Sequence, residues 1–479
     1  MNDAQIVYFA QHELSCNWFD IVDPDVLIRF TIREIGKDSS VHASTISDVA
    51  VYRKTEGARL DSHPENPEDE RTAPFIDNKI AHYLSAVNPV GNVIPSVVFC
   101  MKRIIHYLLL ATVLVGVPLA AAWVGGKDEV LSGVAAFPPR TEDWGAAEYW
   151  QRQCPFNWAV FVALAAVVGT VVGTFVRAAW RNNGPRSFFC KSGKDSASPF
   201  ASARSRFPWW GWLGLAMFLG WLPVVWIRPA WAAKLQVHSF AVMGFGHVLL
   251  MDALACRRGL ASVFKATARG FLLLLPTSAL FWWFFEYLNR FSRNWYFINM
   301  EDYTTFEYVF CFSLGCATIL PSVLTTARWL GTFRLFDDRS CMGMFHVDVR
   351  SCVARLLLAA VSLVGLAGVV FAPSVLYPFL WLSPISALVL VDVLLGLPTG
   401  LEPLRDGNWS QVWRWAVAML ICGFVWETWG FWIEVRWVYT VPYLHRFCYA
   451  EMPLIGFAGY LPFGVEALLV CKAVSRSPR

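Results

Sequence analysis

Apolar stretches about 20 residues long recur along this chain, from residue 104 almost to residue 479. An α-helix of about that length crosses the hydrocarbon core of a bilayer. Hydrophobic residues make up 56% of the chain and charged residues only 16%, whereas about a quarter of the residues in a soluble domain are charged. A membrane β-barrel would show alternating segments of about ten residues, and this pattern is absent. The predicted fold class is therefore all-α, a polytopic transmembrane helix bundle.

We predict ten membrane spans from the hydropathy pattern. They lie near residues 104–124, 157–178, 208–228, 237–256, 270–288, 306–327, 354–372, 376–397, 412–433 and 452–471. Lys and Arg cluster before the first span, after the second, fourth and sixth spans, and at the C-terminal end. An even number of spans separates these clusters, so all of them lie on one side. The positive-inside rule makes that side cytoplasmic, and both termini are expected there.

The N-terminal region differs in kind from the remainder. Residues 1–97 contain 15 acidic and 8 basic residues, although the whole chain has a net charge of +4. No secretory signal pattern opens the chain. We predict a small acidic cytoplasmic region here, either a partly ordered tail or a regulatory or docking domain. Residues 98–207 then form two spans and a basic loop.

A motif of about 40 residues occurs twice, in residues 281–321 and 424–462. Each copy contains a glutamate, two aromatic residues, a second glutamate, a glycine and a proline in the same order. These residues are Glu286, Trp295, Phe297, Glu307, Gly315 and Pro321 in the first copy, and Glu427, Trp437, Tyr439, Glu451, Gly459 and Pro462 in the second. The motif predicts a duplicated four-helix unit, with repeat 1 at 208–330, a cytoplasmic linker at 331–351 and repeat 2 at 352–479. Four spans per copy give parallel repeats, related by a pseudo-twofold axis along the membrane normal.

The repeated carboxylates define a candidate site. A charge near the middle of a bilayer costs about 3 kcal/mol or more, so acidic residues in apolar surroundings suggest function. By the predicted topology the two copies converge near the outer interface. The candidate substrate-binding or proton-relay residues are Glu286, Asn289, Trp295, Glu307, Glu427, Trp437, Tyr439, Glu451 and Glu466. The symmetry is imperfect, because Gly430 replaces Asn289 and only the second copy contains Glu466.

Structural interpretations of the same residues remain open. Glu307 and Glu451 could serve as helix starts, where a carboxylate suits the helix dipole. Glu286 and Glu427 could form interfacial ion pairs with nearby arginines. The tryptophans are expected either in an aromatic belt at the membrane interface or in an aromatic-walled pocket.

Signatures of catalysis and cofactor binding are missing. The sequence has no Walker loop, no GxGxxG, HExxH or CxxC motif, and its twelve cysteines lack metal-ligand spacing. We therefore predict no cofactor, no metal site and no nucleic-acid partner. The expected partner is the lipid bilayer. Cys154 and Cys448 face outward in this topology, and whether they pair is left open.

The segments WWFFEYLNRF, NWYF, CGFVWETW, RWVYTVPYL and EMPLIGFAGYLPFGVE resemble an uncharacterised family of bacterial multi-pass membrane proteins. The resemblance covers roughly residues 235–472. The family has Asn at the position of Gly430. Some members carry a mechanosensitive-channel label, but no activity is established for the family. The resemblance implies a location in the bacterial inner membrane.

Two classes of function remain open, and a third is kept beside them. The parallel repeat and the intramembrane acids favour a transporter or flippase of a small amphipathic or lipid-linked solute. The alternative is a membrane-embedded enzyme that modifies a lipid or isoprenoid, with paired glutamates as general acid and base. The third is a structural or assembly subunit whose glutamates only fix helix packing.

Overall fold

The computed structural model describes residues 6–7, 26–34, 44–53, 101–128, 131–132, 154–184, 206–266, 268–299 and 303–475. Most of the acidic region expected at 1–97 and most of the basic loop after the second span lie outside these residues. The backbone divides into two units, residues 1–99 with 477–479 and residues 100–476. In the first unit, strands β1 (Ile6–Val7), β2 (Val26–Glu34) and β3 (Ser44–Arg53) form an antiparallel sheet in that order.

The second unit contains ten principal helices in its described part. In chain order they are α1 (Met101–Val124), α2 (Trp158–Asn183), α3 (Trp209–Ile227), α4 (Ala230–Arg257), α5 (Ala268–Ser292), α6 (Thr305–Leu330), α7 (Cys352–Phe371), α8 (Phe379–Leu394), α9 (Ser410–Gly430) and α10 (Leu454–Val474). All except α8 and α9 are long and apolar enough to cross a membrane, which makes eight such helices. Helix α8 is apolar but has 16 residues. The protein is thus a helical, multi-pass membrane protein.

Short helices and polar caps mark the ends of the main elements. Short helices occupy Val263–Ala266 and Pro373–Leu376, and 3-10 turns occupy Arg334–Phe336 and Glu402–Asp406. The Oδ1 atom of Asn157 accepts a hydrogen bond of 2.9 Å from the Ala159 amide at the start of α2. The Ser351 hydroxyl does the same for Ala354 at the start of α7. Such caps satisfy amides that have no partner within the helix.

Helices α3 and α4 cross at two glycines. A Cβ atom on Gly214 would lie 2.6 Å from the Gly246 carbonyl oxygen. The α7–α8 contact uses the same device, because a Cβ atom on Gly365 would lie 2.0 Å from the Ser383 hydroxyl. Small residues allow helix backbones to approach closely in a membrane, where packing rather than hydrophobic burial drives association.

Four of the described helices are not α-helical throughout: α1 contains the π segment Thr112–Gly116, α4 begins with the 3-10 segment Ala230–His238, and α6 and α10 also change. Helix α6 consists of the segments Thr305–Cys316 and Ile319–Leu330. The Ser278 hydroxyl bridges this break, because it donates to the Cys316 carbonyl at 2.6 Å and accepts from the Leu320 amide at 3.0 Å. Helix α10 begins with the 3-10 segment Leu454–Gly459, and its α-helical part starts at Tyr460.

Two short strands join the loops that follow α5 and α9. Strand β4 (Trp295–Ile298) pairs antiparallel with β5 (Arg436–Tyr439). The register places Trp295 opposite Tyr439 and Phe297 opposite Trp437. Strands β6 (Cys448–Tyr449) and β7 (Met452–Pro453) form a second small pair before α10. The β4–β5 pair therefore brings together the aromatic residues of both sequence motifs.

Candidate functional site

Asn289 shapes the turn that carries the chain from α5 into β4. Its Oδ1 atom accepts from the amides of Asn294 at 2.8 Å and Trp295 at 3.3 Å. Its Nδ2 atom donates to the Trp295 carbonyl at 2.7 Å. The turn places the Trp295 indole so that Nε1 donates to Glu286 Oε1 at 2.9 Å. The first copy of the motif thus forms a Trp–carboxylate pair, and Asn289 positions it.

The second copy surrounds Glu427 with three donors. Its Oε1 atom accepts from the Tyr439 hydroxyl at 2.7 Å, the Tyr460 hydroxyl at 2.8 Å and Trp437 Nε1 at 3.3 Å. Burial and the nearby Glu427 carboxylate raise the pKa of Tyr439 well above its usual value, so its hydroxyl stays protonated and donates. Three donors on one oxygen suit an ionised carboxylate, which only accepts.

Among the described residues, no salt bridge pairs either buried carboxylate with a cation, although Arg290 acts electrostatically on Glu286. Glu286 is 4% exposed and Glu427 is 1% exposed. Within the described residues, no Lys, Arg or His nitrogen lies within 4.0 Å of either carboxylate. The expected alternative, an interfacial ion pair with a neighbouring arginine, is therefore not what holds these two side chains. Neutral aromatic donors hold them instead.

Gly430 has a steric reason to replace the asparagine of the first copy. A Cβ atom at this position would lie 2.4 Å from Cη2 of Trp437. The indole that donates to Glu427 therefore passes over the backbone of Gly430. The two copies reach the same Trp–carboxylate contact by different means, a polar turn in one and close backbone packing in the other.

A cavity of about 130 Å³ lies beside these contacts. Its wall is mostly aromatic and includes side chains from both motifs. Six of the lining residues are Trp282, Trp295, Tyr308, Trp437, Tyr439 and Tyr460. Gly315 and Gly459, at the interruptions of α6 and α10, also line it. Glu286 and Glu427 are not among the lining residues, so each carboxylate lies behind an aromatic layer.

Glu307 and Glu451 lie away from this arrangement. The exposed Glu307 closes a capping box at the start of α6, where Oε2 accepts from the Thr304 amide at 2.9 Å and from its hydroxyl at 2.8 Å. Glu451 lies between β6 and β7 rather than at a helix start, and its Oε1 atom is 3.6 Å from Nε of Arg436. The structure thus places Glu286 and Glu427 behind the cavity wall. Glu307 and Glu451 make other contacts.

Glu466 forms a separate feature. It lies in α10, is 3% exposed, and its Oε2 atom has no hydrogen-bond partner among the described residues. It does not line the cavity. Glu466 is thus buried among the helices, and its proposed part in the site stays a prediction.

Two further features were not predicted from the sequence. Tyr460 contacts Glu427, and its position directly after Gly459 in the distinctive EMPLIGFAGYLPF stretch was the available signal. His247 in α4 lies buried with Nε2 3.0 Å from the Thr326 hydroxyl, and Cys422 Sγ lies 3.5 Å from the same hydroxyl. No sequence spacing connects these three residues, because they come from three different helices.

Cysteines and acidic residues form no further centre in the part of the chain that the structure describes. Cys154 and Cys448 are both free thiols. No group of three or more His, Cys, Asp or Glu side chains there is arranged to hold a metal ion. The cavity wall itself offers aromatic rings, tyrosines and the side chains of Cys311 and Cys316, and the two carboxylates lie behind it.

Comparisons with known proteins give no assignment. No protein-family model matches the chain, and neither a curated protein nor a solved structure matches it. Any function assigned to this chain therefore rests on its own fold and site geometry.

Proposed function

We propose that this protein transports or flips a small amphipathic or lipid-linked solute, and that the aromatic cavity is its binding site. One observation carries the proposal: Gly315, beside the interruption of α6, and Gly459, where the 3-10 segment of α10 meets its α-helical part, both line the cavity. Membrane transporters built from repeats place their substrate sites at discontinuous helices between the repeats. Irregular backbone at membrane depth is tolerated where it lines a cavity.

The proposed architecture is a ten-span bundle with two parallel four-helix units at 208–330 and 352–472. The β4–β5 register supports it, because Trp295 lies opposite Tyr439 and Phe297 opposite Trp437. Exchanging the two sequence motifs maps one of these pairs onto the other. Helices α1 and α2 would stand outside this symmetry. The positive-inside rule then places both termini in the cytoplasm and the cavity near the outer interface. The family resemblance adds the bacterial inner membrane as the location.

The proposed roles divide the acidic residues. Glu286 and Glu427 set the charge behind the cavity wall, and Trp295, Trp437 and Tyr439 contact the solute. Glu307 and Glu451 fix the ends of local structure. Glu466, with an unpartnered oxygen at 3% exposure among the described residues, is the candidate for proton relay within the membrane.

A lipid-modifying enzyme is the second candidate, and a specific contact favours it. Tyr439 and Tyr460 line the cavity, and the hydroxyls of both donate to Glu427. A tyrosine next to a carboxylate can move a proton to or from a substrate. We favour transport over catalysis because irregular segments of α6 and α10 line the cavity. Acid–base catalysis does not require this feature.

A deletion strain tests the proposal. It is complemented by the wild-type gene, by Glu427→Gln, or by the control Glu434→Gln. Among the described residues the Glu434 side chain makes no hydrogen bond, and only its backbone carbonyl accepts one, from Asn299. Mass spectrometry then quantifies membrane lipids, leaflet by leaflet, and exported metabolites.

Transport predicts an unchanged molecule that accumulates on the wrong side of the membrane in the deletion strain and in Glu427→Gln, but not in Glu434→Gln. A chemically unprocessed precursor in place of its product would identify the enzyme. Full complementation by Glu427→Gln would remove this carboxylate from either function. If the deletion changes no lipid and no exported metabolite, transport and catalysis are both ruled out, and a structural or assembly role remains.

A further inference from the structure

We infer that the cavity is a cage for an organic cation, and that the transported solute carries a quaternary or highly substituted ammonium headgroup. This inference rests on the proposed function, since it names the chemical class of the solute. Three features of the described residues around the cavity support it: aromatic rings, two carboxylates behind them, and no cation paired with either carboxylate.

The polar donors of four aromatic wall residues are bonded to the two glutamates. Trp295 and Trp437 donate their indole N–H groups to Glu286 and Glu427. Tyr439 and Tyr460 donate their hydroxyls to Glu427. All four side chains line the cavity, yet their donors are engaged by carboxylates that do not line it. A ligand therefore meets ring carbons rather than these hydrogen-bond donors. Aromatic ring faces attract a cation within about 6 Å, and quaternary ammonium groups are recognised by such aromatic cages.

The two buried glutamates favour a positively charged ligand. Glu286 and Glu427 are buried, and within the described residues no cationic nitrogen lies within 4.0 Å of them. Buried charges in proteins are normally paired. Arg290 acts on Glu286 from beyond that distance, whereas the neighbouring charge that acts on Glu427 is the acidic Glu451, so the requirement stays open mainly at Glu427. A cation in the cavity would supply the missing positive charge without touching the carboxylate, because electrostatic attraction acts across a low-dielectric ring.

The surroundings of the cavity disfavour an anionic ligand. Anions bind where backbone amides at a helix start are free to donate. The second segment of α6 starts beside the cavity, but the Leu320 amide is already bonded to the Ser278 hydroxyl. A phosphate or carboxylate group would also approach two acidic side chains, and like charges repel.

The size of the cavity fits such a headgroup. A protein cavity of about 150 Å³ holds benzene, and the volume here is about 130 Å³. A trimethylammonium group is of roughly benzene size, so the cage admits the headgroup but not a whole lipid. Apolar chains would have to leave it towards the bilayer.

Calorimetric binding to the purified full-length protein in detergent tests the inference. The probes are choline and 3,3-dimethylbutan-1-ol, a neutral isostere in which carbon replaces the charged nitrogen. We expect choline to bind at least about tenfold more tightly than the isostere. We expect Glu427→Gln to lower the affinity for choline at least about tenfold and to leave the affinity for the isostere unchanged. Tyr460→Phe keeps the ring and removes one donor, so it serves if Glu427→Gln does not fold. For Tyr460→Phe we expect a smaller loss of choline affinity and no change with the isostere. Glu434→Gln is the control for both probes.

The outcomes separate this inference from the proposed function. Equal binding of both probes, or binding of neither, overturns the cation cage. If the deletion strain still mislocates a solute, transport stands and the solute belongs to another class. If choline is preferred but the deletion changes no exported solute or lipid leaflet, the cage stands and transport fails.

Discussion

At the residue scale, the paired motifs predicted which side chains matter but not how they differ. Alignment identified Glu286 with Glu427 and Trp295 with Trp437, and in both copies the tryptophan donates to the glutamate. The exchange of Asn289 for Gly430 looked like lost symmetry. Its reason is steric, since the indole of Trp437 occupies the place of a Cβ atom at Gly430. Such a contact joins residues through space and leaves no trace in spacing.

Gly430→Ala should therefore destabilise the protein, and Gly220→Ala should not. The new Cβ atom would lie 2.4 Å from Trp437, and overpacking of this kind costs about 1–3 kcal/mol. A Cβ atom on Gly220 meets nothing within 4 Å, so alanine should be neutral or raise stability through helix propensity. Thermal unfolding in detergent measures both variants. Equal melting temperatures would contradict the packing of Trp437 on Gly430.

Asn289 offers a graded test of the first turn. Asn289→Ala removes the acceptor of the Asn294 and Trp295 amides and the donor to the Trp295 carbonyl. Buried groups left without partners cost about 1–3 kcal/mol. Asn289→Ser keeps a short uncharged oxygen acceptor and adds no buried charge, so it should fall between wild type and alanine in chemical unfolding. An alanine variant as stable as wild type would show that the turn forms without this side chain.

At the element scale, sequence reasoning found the helices and missed their interruptions. The break in α6 at residues 317–318 depends on Ser278 of a neighbouring helix, which no local pattern reports. The four-residue strands β4 and β5 were also missed, because WYFI and RWVY read equally well as an aromatic belt. Glu307 was predicted either as a functional acid or as a helix start, and the structure gives it the contacts of a capping box.

A disulfide across β4–β5 tests the strand register. Tyr296 lies opposite Val438, and opposed antiparallel residues have Cα atoms about 4.5–5.5 Å apart, a distance that disulfides span. We expect Tyr296→Cys with Val438→Cys to crosslink, and Tyr296→Cys with Arg436→Cys, two residues out of register, to fail. Cys352→Ser and Cys448→Ser remove the exposed thiols among the described residues. A protease site inserted at 331–351 then shows on a non-reducing gel whether the halves stay joined. Crosslinking of the out-of-register pair alone would refute this register.

The capping box separates structure from function at α6. Thr304→Ala should lower stability by about 1 kcal/mol, because it removes the cap. Glu307→Gln should be near neutral in unfolding, since glutamine also completes a capping box. Loss of complementation in the deletion strain by a stably folded Glu307→Gln would instead restore this carboxylate as a functional candidate.

At the scale of the whole molecule, composition and hydropathy predicted the class of protein. The expected spans fall on the ten helices, with ends shifted by a few residues, and eight of them meet the criteria of length and hydropathy. Helices α8 and α9 do not, because one has 16 residues and the other carries Arg414 and Glu427. How the helices pack could not be predicted, since it rests on glycines and polar contacts between distant residues. One such contact joins His106 of α1 to Asp392 of α8.

This buried contact should anchor α1 to the rest of the bundle. His106 Nδ1 lies 3.0 Å from Asp392 Oδ1, and both side chains are almost fully buried. His106→Leu removes one contact of the buried Asp392 carboxylate, which should lower stability by about 1–3 kcal/mol. His106→Leu with Asp392→Leu should recover most of that loss, because apolar replacement of both partners is often tolerated. Denaturant unfolding of the single and double variants measures the difference. Equal losses would show that the two residues do not interact.

The serine that bridges the interrupted α6 has a mechanical consequence. Ser278 Oγ holds the carbonyl that ends one segment and an amide in the first turn of the next. A bend of α6 at this point that moves the serine away frees both backbone groups together. One side chain thus secures both backbone groups at the break, so a movement of Gly315 that bent α6 there would break two buried hydrogen bonds at the same point.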